Sequence, residues 1–274
     1  MKMKKWGVVA ACGMLVAALG MFGCSSNAAS SSSSASGSAD ADAGMTLVKD
    51  GVLTVGVSPD YPPFENIENG EYVGFDIDFA KALAEQMGLT CEFKVLQFDG
   101  IVPAVAAGGQ CDVGISGISV DPERAETVDF TDTYYVDDQS VAVMKGGAIT
   151  ADNADEALNK SDVIIAVQSG STGESFAREN YPNATVQPYG NATDCFAAMQ
   201  AGKVTAVCMN KAVVSKMLAT SYQDAEVVKS VATGEEYAVT VAKDNTALTK
   251  AINEAIAAMK ANGTLDELNT KYFG

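Results

Sequence analysis

From Leu47 onward the chain alternates short apolar runs with segments of helical period, and this alternation is the strongest constraint on its fold. Strands that alternate with helices indicate an α/β fold built on a largely parallel sheet. The pattern predicts strands at 52–57, 91–96 and 113–116, a helix capped by Asp76 and closed by Gly88, and a helix at 100–107.

The same pattern then starts again farther along the chain. It predicts strands at 163–167, 185–188 and 204–209, helices at 173–179 and 192–200, and C-terminal helices at 247–260 and 264–272. Two successive sets of strands and helices indicate two lobes, each with a mostly parallel sheet and flanking helices.

The N-terminal residues are typical of an exported protein. A basic start leads into the apolar run 8–22, which is short for a membrane span and ends at Gly23-Cys24. A cysteine at this junction resembles that of a bacterial lipobox. We interpret residues 1–23 as a signal peptide, Cys24 as the lipidated first residue, and the Ser-rich residues 24–45 as a flexible tether. Ordinary cleavage that leaves Cys24 as a free thiol is the alternative.

Charge and composition exclude several classes of function. The net charge of −17 disfavours nucleic acid and anionic lipid as direct ligands. The chain has no histidine, which excludes Ser-His-Asp and Cys-His catalysis and removes the commonest zinc ligand. We predict neither a metal nor a cofactor. Arginine occurs only at Arg124 and Arg178, so both stand out in a chain that otherwise uses lysine.

Four cysteines lie beyond Cys24, at predicted strand or helix positions: Cys91, Cys111, Cys195 and Cys208. Four cysteines allow three pairings, and the sequence does not choose among them. Spacing suggests bonds from Cys91 to Cys111 and from Cys195 to Cys208, and buried free thiols are the alternative.

The candidate ligand-binding residues follow the predicted strands, where the loops of an open α/β sheet bind ligands. Arg124 comes after a Ser/Gly loop, 116–119, that offers hydroxyl and amide donors. An arginine fork beside such donors is a receptor for a carboxylate, because each charge-assisted bond contributes roughly 1.5–3 kcal/mol. A surface ion pair with Asp121 or Glu123 is the alternative.

A second loop, 169–173, opens a helix and aims its first N–H groups at the same anion. Helix capping by Ser171 or Thr172 is the simpler explanation, and the two roles are compatible.

Aromatic residues follow two of the predicted strands. Tyr61, Phe64 and Phe98 are candidates for the lining of the cleft mouth, where they would sandwich a ligand side chain. Each is also a candidate for the core.

Several short motifs occur in a fixed order along the folded part of the chain. They are Tyr61-Pro62-Pro63-Phe64, Gly74-Phe75-Asp76-Ile77-Asp78, Ser116-Gly117-Ile118-Ser119, Pro122-Glu123-Arg124, Val128-Asp129-Phe130-Thr131 and, at the C-terminus, Lys271-Tyr272-Phe273-Gly274. Their order and spacing resemble the polar amino-acid family of periplasmic-type solute-binding proteins. The resemblance covers about residues 46–274.

The resemblance implies a two-lobed, type II periplasmic-binding-protein fold with two hinge crossings, which closes on its solute. Lobe 1 would comprise residues 46–136 and 236–274, and lobe 2 residues 137–235. Arg124, Ser119, Gly117 and Thr172 would hold an α-carboxylate. Tyr61 and Phe98 would line the ligand side chain, which Ser58 and Gln168 would tune. The full set of expected ligand contacts is Ser58, Tyr61, Phe98, Gly117, Ser119, Arg124, Gln168, Ser171, Thr172 and Asn210.

One position departs from the family pattern. The resemblance implies an Asp after the last strand of the second lobe, where it binds the ligand's α-ammonium, and this chain has Asn210 there, followed by Lys211. An amide oxygen still accepts an N–H but gives up the charge-assisted part of the interaction. Three explanations stay open: Glu235 or Glu236 compensates, the ligand's amino group is modified or absent, or the affinity is modest.

The implied function is that of a binding protein rather than an enzyme. It would capture an amino acid or a close derivative on the extracellular face of the membrane and deliver it to an ABC permease. The expected state is a monomer that contacts the membrane only through its lipid anchor. The alternative is an enzyme on the same fold, a dehydratase acting on a cyclic carboxylate, which needs a carboxyl group as its acid or base because histidine is absent.

Overall fold

A computed structural model describes residues 44–274 of the chain. The predicted signal peptide 1–23, the predicted lipidation site Cys24 and most of the tether 24–45 lie outside these residues. Within the described part, no helix is both long and apolar enough to cross a bilayer.

Every predicted strand and helix has a counterpart in the structure. The strands are β1 (Val52–Val57), β2 (Asn66–Glu68), β3 (Glu71–Val73), β4 (Thr90–Val95), β5 (Val113–Gly114), β6 (Val128–Phe130), β7 (Tyr135–Met144), β8 (Ile164–Gln168), β9 (Thr185–Tyr189), β10 (Ala206–Asn210), β11 (Ala225–Tyr237) and β12 (Thr240–Ala242). The α-helices are α1 (Phe75–Gln86), α2 (Phe98–Ala107), α3 (Ala154–Leu158), α4 (Thr172–Asn180), α5 (Ala192–Gln200), α6 (Lys211–Thr220), α7 (Thr246–Ala261) and α8 (Thr264–Phe273).

The first sheet has the strand order β4-β1-β5-β12-β6. β1 pairs in parallel with β4 and β5, whereas β12 pairs antiparallel with β5 and β6, so one strand runs against the other four. Leu53, Val55 and Val57 of β1 are fully buried. Apart from Thr54 the strand is apolar, because α1 and α2 pack against it and leave little of it in water.

The second sheet repeats this plan with the order β11-β7-β10-β8-β9. β8 pairs in parallel with β9 and β10, and β7 pairs antiparallel with β10 and β11. Here too a single strand, β7, runs against the others. Each sheet is therefore mostly parallel, as the sequence predicts.

The chain passes twice between the two sheets. It leaves the first sheet after β6 and enters the second through β7, and it returns through β11 to β12. β7 and β11 pair antiparallel over most of their length, as far as Tyr135 with Tyr237. The prediction of a two-lobed α/β fold with two crossings is confirmed. The predicted lobe boundaries, after residues 136 and 235, fall inside these paired strands.

Helix α1 begins differently from its prediction. Gly74 occupies the N-cap position with φ of 130°, and a Cβ atom there would collide with the carbonyl group of Phe64. Asp76 lies inside the first turn, is 1% exposed and makes its hydrogen bonds to other elements. The prediction that Asp76 caps the helix is therefore wrong.

The cysteines beyond Cys24 are free thiols. Cys111, Cys195 and Cys208 are buried and Cys91 is half-buried, so the suggested pairings do not form. Burial raises the pKa of the Cys91 and Cys111 thiols to about 11, which keeps them protonated and unreactive at neutral pH. They act as small apolar side chains.

Phe64 belongs to the core rather than to the cleft lining. Its side chain is fully buried, and its ring centroid lies 5.0 Å from that of Tyr135, 5.2 Å from Tyr237 and 5.3 Å from Phe273. These partners come from β7, β11 and α8. The aromatic cluster thus anchors the turn after β1 to both crossing strands and to the C-terminus.

Candidate functional site

Loops from both sheets meet at the carboxyl ends of the strands. The first sheet contributes residues 58–64 after β1 and 115–124 after β5, and the second contributes residues 169–171 after β8 and Asn210 at the end of β10. Hydrogen bonds cross from one group of loops to the other. The carboxyl ends of parallel strands lie at the same edge of a sheet, so the loops that follow them converge in a cleft.

Arg124 bridges the two halves of this cleft. Its Nη1 donates to the Ser119 carbonyl oxygen at 2.8 Å, and its Nη2 donates to the Gly170 carbonyl oxygen, in the other half, at 2.8 Å. The guanidinium carbon lies 5.5 Å from the ring centroid of Phe98. Burial lowers the pKa of Arg124 from its usual value, and arginine nevertheless stays charged at neutral pH.

The alternative of a surface ion pair for Arg124 does not hold. None of the ion pairs formed within residues 44–274 involves this side chain. Asp121 instead accepts the backbone N–H groups of Glu123 and Arg124 and stabilises the turn. The guanidinium is therefore bound only to neutral carbonyl groups and an aromatic face, which leaves its charge without an anion.

Glu235, near the end of β11, lies at the centre of a hydrogen-bond network. Its Oε2 accepts hydrogen bonds from the hydroxyls of Ser119 and Thr172, both at 2.7 Å. The same oxygen accepts from Asn210 Nδ2 at 3.1 Å, and Oε1 accepts from Gln139 Nε2 at 2.8 Å. Side chains from both halves of the cleft thus converge on one carboxylate.

Tyr61 and Asn210 form a second contact across the cleft. The Tyr61 hydroxyl donates to Asn210 Oδ1 at 2.7 Å. Burial raises the pKa of Tyr61 well above its usual value, so the phenol keeps the proton that it donates. Because Nδ2 donates to Glu235, the Asn210 amide has a partner on each side and its oxygen is already in use.

Asp60 links the turn after β1 to the second sheet. Its Oδ2 accepts the backbone N–H of Ala192, the first residue of α5, and its Oδ1 accepts the Ser58 hydroxyl at 3.0 Å. An acidic side chain at a helix N-terminus is favourable because the free N–H groups there carry partial positive charge. Burial raises the pKa of Asp60 to about 6.

Two of the expected contacts have their donors committed elsewhere. The Gly117 N–H donates to Asp76 Oδ2 at 2.6 Å, away from the cleft. The Ser171 hydroxyl donates to the Gln168 carbonyl oxygen at 2.7 Å and accepts the Glu174 N–H at 3.1 Å, so Ser171 is the N-cap of α4. These two donor groups are engaged within the protein, and their expected role as ligand contacts stays a prediction.

The side chains expected to tune specificity are both buried. Ser58 donates its backbone N–H to Ser116 Oγ at 3.0 Å and its hydroxyl to Asp60. Gln168, at the end of β8, is 1% exposed, and its Nε2 has no hydrogen-bond partner within residues 44–274. A buried donor without an acceptor costs free energy, so the Gln168 amide has capacity for one more partner.

An open groove of about 390 Å³ adjoins this site, between α2 and α4. Phe98, Arg124 and Thr172 line it together with Arg178, whose guanidinium pairs with Glu174 at 2.6 Å. Both arginines of the chain therefore face one groove, but only Arg124 lacks a carboxylate partner.

Sequence reasoning missed two polar residues of the site. Gln139 is buried in β7, where the predictions contained no strand, and Asp60 lies in the turn before Tyr61. A glutamine inside the apolar run that includes Val141 and Val143 was a usable signal, because a buried amide needs partners. Glu235 was considered only as one of two acids that compensate for Asn210.

A comparison with protein families identifies the chain. Residues 53–274 match the family described as bacterial extracellular solute-binding proteins, family 3. The chain belongs to this family. The family is described as extracellular, and its solute-binding role agrees with the resemblance that the sequence motifs showed.

Named relatives of this solute-binding protein bind amino acids. ABC transporter arginine-binding protein 1 of Escherichia coli K12 is 32% identical over 226 residues, which cover 81% of this chain and 90% of that protein. ABC transporter glutamine-binding protein GlnH of Bacillus subtilis 168 is 31% identical over 234 residues, which cover 83% of this chain and 84% of that protein.

Solved structures agree with this family assignment. The ancestral amino acid-binding protein AncCDT-1, a precursor of cyclohexadienyl dehydratase, has a TM-score of 0.75 at 36% identity over 82% of this chain and 96% of that one. An ancestral arginine-binding protein bound to arginine has a TM-score of 0.75 at 35% identity over 82% of this chain and 99% of that one.

Proposed function

We propose that this solute-binding protein captures an α-amino acid between its two lobes and delivers it to an ABC permease. The observation that carries the proposal is the Arg124 guanidinium, which spans the cleft without a carboxylate partner. Arg124 and Glu235 offer opposite charges from the two sides of one small site. A zwitterion complements this pair, because its carboxylate and ammonium groups are adjacent.

The ligand carboxylate takes the place of neutral partners. In the structure, Arg124 donates to two backbone carbonyl oxygens, while the Ser119 and Thr172 hydroxyls donate to Glu235. A carboxylate beside Arg124 accepts from the guanidinium, which exchanges neutral carbonyl acceptors for an anionic one, and from both hydroxyls, which exchange one carboxylate for another. Donors from both lobes then share one anion, so the ligand favours the closed state.

The ligand ammonium goes to Glu235 rather than to Asn210. The Asn210 oxygen already accepts from Tyr61, and its amide N–H points at Glu235. Glu235 loses two hydroxyl donors when the ligand carboxylate binds and regains donors from the ammonium. Of the three explanations for Asn210, compensation by an acid is therefore the one we adopt, with Glu235 as the acid. Glu236, its exposed neighbour, has no such contacts.

The ligand side chain meets Tyr61 and Phe98, with Gln168 as a polar contact. The Gln168 Nε2 is buried and unpartnered within the described chain, so an acceptor on the ligand gives it its missing bond. Named relatives bind arginine, glutamine, histidine and cystine, and those four amino acids are the first probes.

We further propose that the protein is a monomeric lipoprotein on the extracellular face and acts without chemistry on the solute. The −17 charge keeps copies apart, and Cys24 supplies the anchor. The five side chains that hydrogen-bond to Glu235 are all donors to it, so Glu235 is arranged as an acceptor and not as a proton donor to a substrate. Turnover of a cyclic carboxylate by the purified protein would instead favour the dehydratase alternative.

A thermal-shift screen of the purified protein tests the proposal. An amino acid at 100 times its dissociation constant is expected to raise the free energy of unfolding by about 2.7 kcal/mol. Arg124→Ala is expected to abolish this shift and to leave the ligand-free melting temperature nearly unchanged. Arg178→Ala is the matched control and keeps the shift, because Arg178 pairs with Glu174. If the shift survives in Arg124→Ala, the carboxylate assignment is wrong.

A further inference from the structure

Two carboxyl groups are buried directly beneath the binding loops. Glu65 follows the turn that carries Tyr61, and Asp76 lies in the first turn of α1; they are 0% and 1% exposed. No lysine or arginine of residues 44–274 forms an ion pair with either group. Buried carboxylates normally have a cationic partner, so another arrangement must stabilise this pair.

Each carboxyl group holds part of a binding loop. Asp76 Oδ2 accepts the Gly117 N–H at 2.6 Å and the Tyr134 hydroxyl at 3.0 Å. Glu65 Oε1 accepts the Ser116 hydroxyl at 2.6 Å, and Ser116 Oγ in turn accepts the Ser58 N–H. The turn after β1 and the loop after β5 are thus attached to the same two side chains.

The remaining oxygen of each carboxyl group has no hydrogen-bond donor in the described part of the chain. Glu65 Oε2 and Asp76 Oδ1 are buried and have no N–H or O–H donor among the described residues, and the two carboxyl groups are in hydrogen-bond contact. If both were ionised, two like charges and two acceptors would meet without a hydrogen between them. A single proton satisfies both oxygens and removes one charge.

The surrounding donors decide which residue carries the proton. Asp76 faces the Gly117 amide and the Tyr134 phenol, whereas Glu65 faces one hydroxyl. Burial raises the pKa of Glu65 well above its usual value, and the charge of Asp76 adds to this effect. Burial also raises the pKa of Asp76, to about 6, while its hydrogen bonds oppose that rise.

We propose that Glu65 and Asp76 share one proton, carried by Glu65, and that the resulting Glu65–Asp76 anion positions the Ser116–Ser119 loop for ligand binding. The ligand-binding part of this inference rests on the proposed function. Gly117 has φ of +55°, and a Cβ atom there would lie 3.3 Å from Tyr237. The charge-assisted bond from its N–H to Asp76 holds this turn and directs the Ser119 hydroxyl into the cleft.

The shared proton makes stability depend on pH in a definite direction. A carboxyl group with a higher pKa in the folded state than in the unfolded state binds more protons when folded, so the free energy of unfolding falls as pH rises from the ordinary carboxyl value to the raised one. The titratable groups that face the pair are Asp60, Tyr61 and Tyr134. Only Asp60 among them titrates in the same range, and it stays in place in every variant below.

Two isosteric substitutions separate the roles of the pair. In Glu65→Gln the amide still donates to Asp76, so at pH 7 the variant is expected to melt at or above the wild-type temperature. Its advantage over wild type is expected to grow from pH 5 to pH 8, because it has no proton to lose. Asp76→Asn loses the anion and is expected to melt well below wild type. The exposed Glu68→Gln is the matched control for removal of one carboxylate.

Affinity for L-arginine, or for whichever of the four probe amino acids gives the largest thermal shift, measures the positioning role. We expect Glu65→Gln to bind within about threefold of wild type and Asp76→Asn to bind at least tenfold more weakly.

Failure of all four probes to bind would count against the proposed function, and the ligand-free melting curves would still decide the proton assignment. A Glu65→Gln advantage that stays constant with pH, or a reversed order of the two variants, would overturn the inference. If Asp76→Asn does not fold, the pH profile of Glu65→Gln alone decides the matter.

Discussion

At the residue scale, we propose that Asn210 and Glu235 divide between them the role that the resemblance to the family implies for one aspartate. Asn210 keeps the position at the end of β10, but its oxygen accepts from Tyr61. The negative charge comes from Glu235 on β11, which is separated from β10 by β7, and Asn210 donates a hydrogen bond to it. In the proposed binding mode, the ligand ammonium group would approach an acid on a different strand, while the ligand carboxylate would still bind at Arg124.

Glu235→Gln tests this exchange directly. We expect the affinity for an α-amino acid to fall about 10- to 100-fold, because the charge-assisted bond to the ammonium contributes roughly 1.5–3 kcal/mol. Affinity for the matching des-amino acid is expected to stay the same. Isothermal titration of both ligands measures the difference, and Glu236→Gln is the exposed control on the same strand. Tighter binding of amino acids by Glu235→Gln would mean that Glu235 competes with the ligand for donors.

At the element scale, two helix N-termini of the second sheet point toward the cleft and are capped in different ways. Ser171 caps α4 from its own chain segment. Asp60 caps α5 from the other side of the cleft, so that cap exists only when the two halves are in contact. A local cap stabilises a helix, whereas a cap across the cleft stabilises closure.

Ser171→Ala separates capping from ligand contact. Loss of the cap is expected to lower the free energy of unfolding by about 1 kcal/mol. Ligand affinity is expected to change little, because the Ser171 hydroxyl is engaged with Gln168 and Glu174. Urea denaturation and titration of the variant provide the two values, with the exposed Ser175→Ala on the same helix as control. A large loss of affinity with unchanged stability would restore Ser171 as a ligand contact.

At the scale of the whole molecule, the two sheets are joined by a pair of strands and by hydrogen bonds across the cleft. The paired strands β7 and β11 connect the two sheets. Arg124, Tyr61 and Asp60 each form a hydrogen bond across the cleft. A ligand that bonds to both halves adds to these contacts and shifts the protein toward the closed state by its differential affinity for that state.

The proposed lipid anchor at Cys24 is tested with the full chain in cells. Cys24→Ala is expected to move the protein from the membrane fraction to the soluble fraction, because the lipid chains supply the membrane affinity. Fractionation followed by immunoblotting measures the shift. Cys91→Ala, which alters a half-buried thiol, is expected to stay with the membrane. Retention of Cys24→Ala in the membrane fraction would contradict the lipoprotein assignment.

The sequence by itself determined the α/β class, the strands such as β1, and the arginine of the site. These depend on local periodicity and on residue types that are scarce in this chain, and both are visible in the linear sequence. It did not reveal β7 and β11, because neither crossing strand has the regular alternation of a strand with one buried face: residues 139–143 of β7 are all buried, and most of β11 is exposed or half-buried.

Only the tertiary structure decided which polar groups meet. Glu235 lies 25 residues from Asn210 and 116 from Ser119, and Glu65 lies 51 from Ser116. Hydrogen bonds at such separations depend on how loops from different strands converge, which no local pattern encodes. The same convergence places the Gly117 N–H against Asp76 and makes the Ser171 hydroxyl the cap of α4, neither of which the sequence showed.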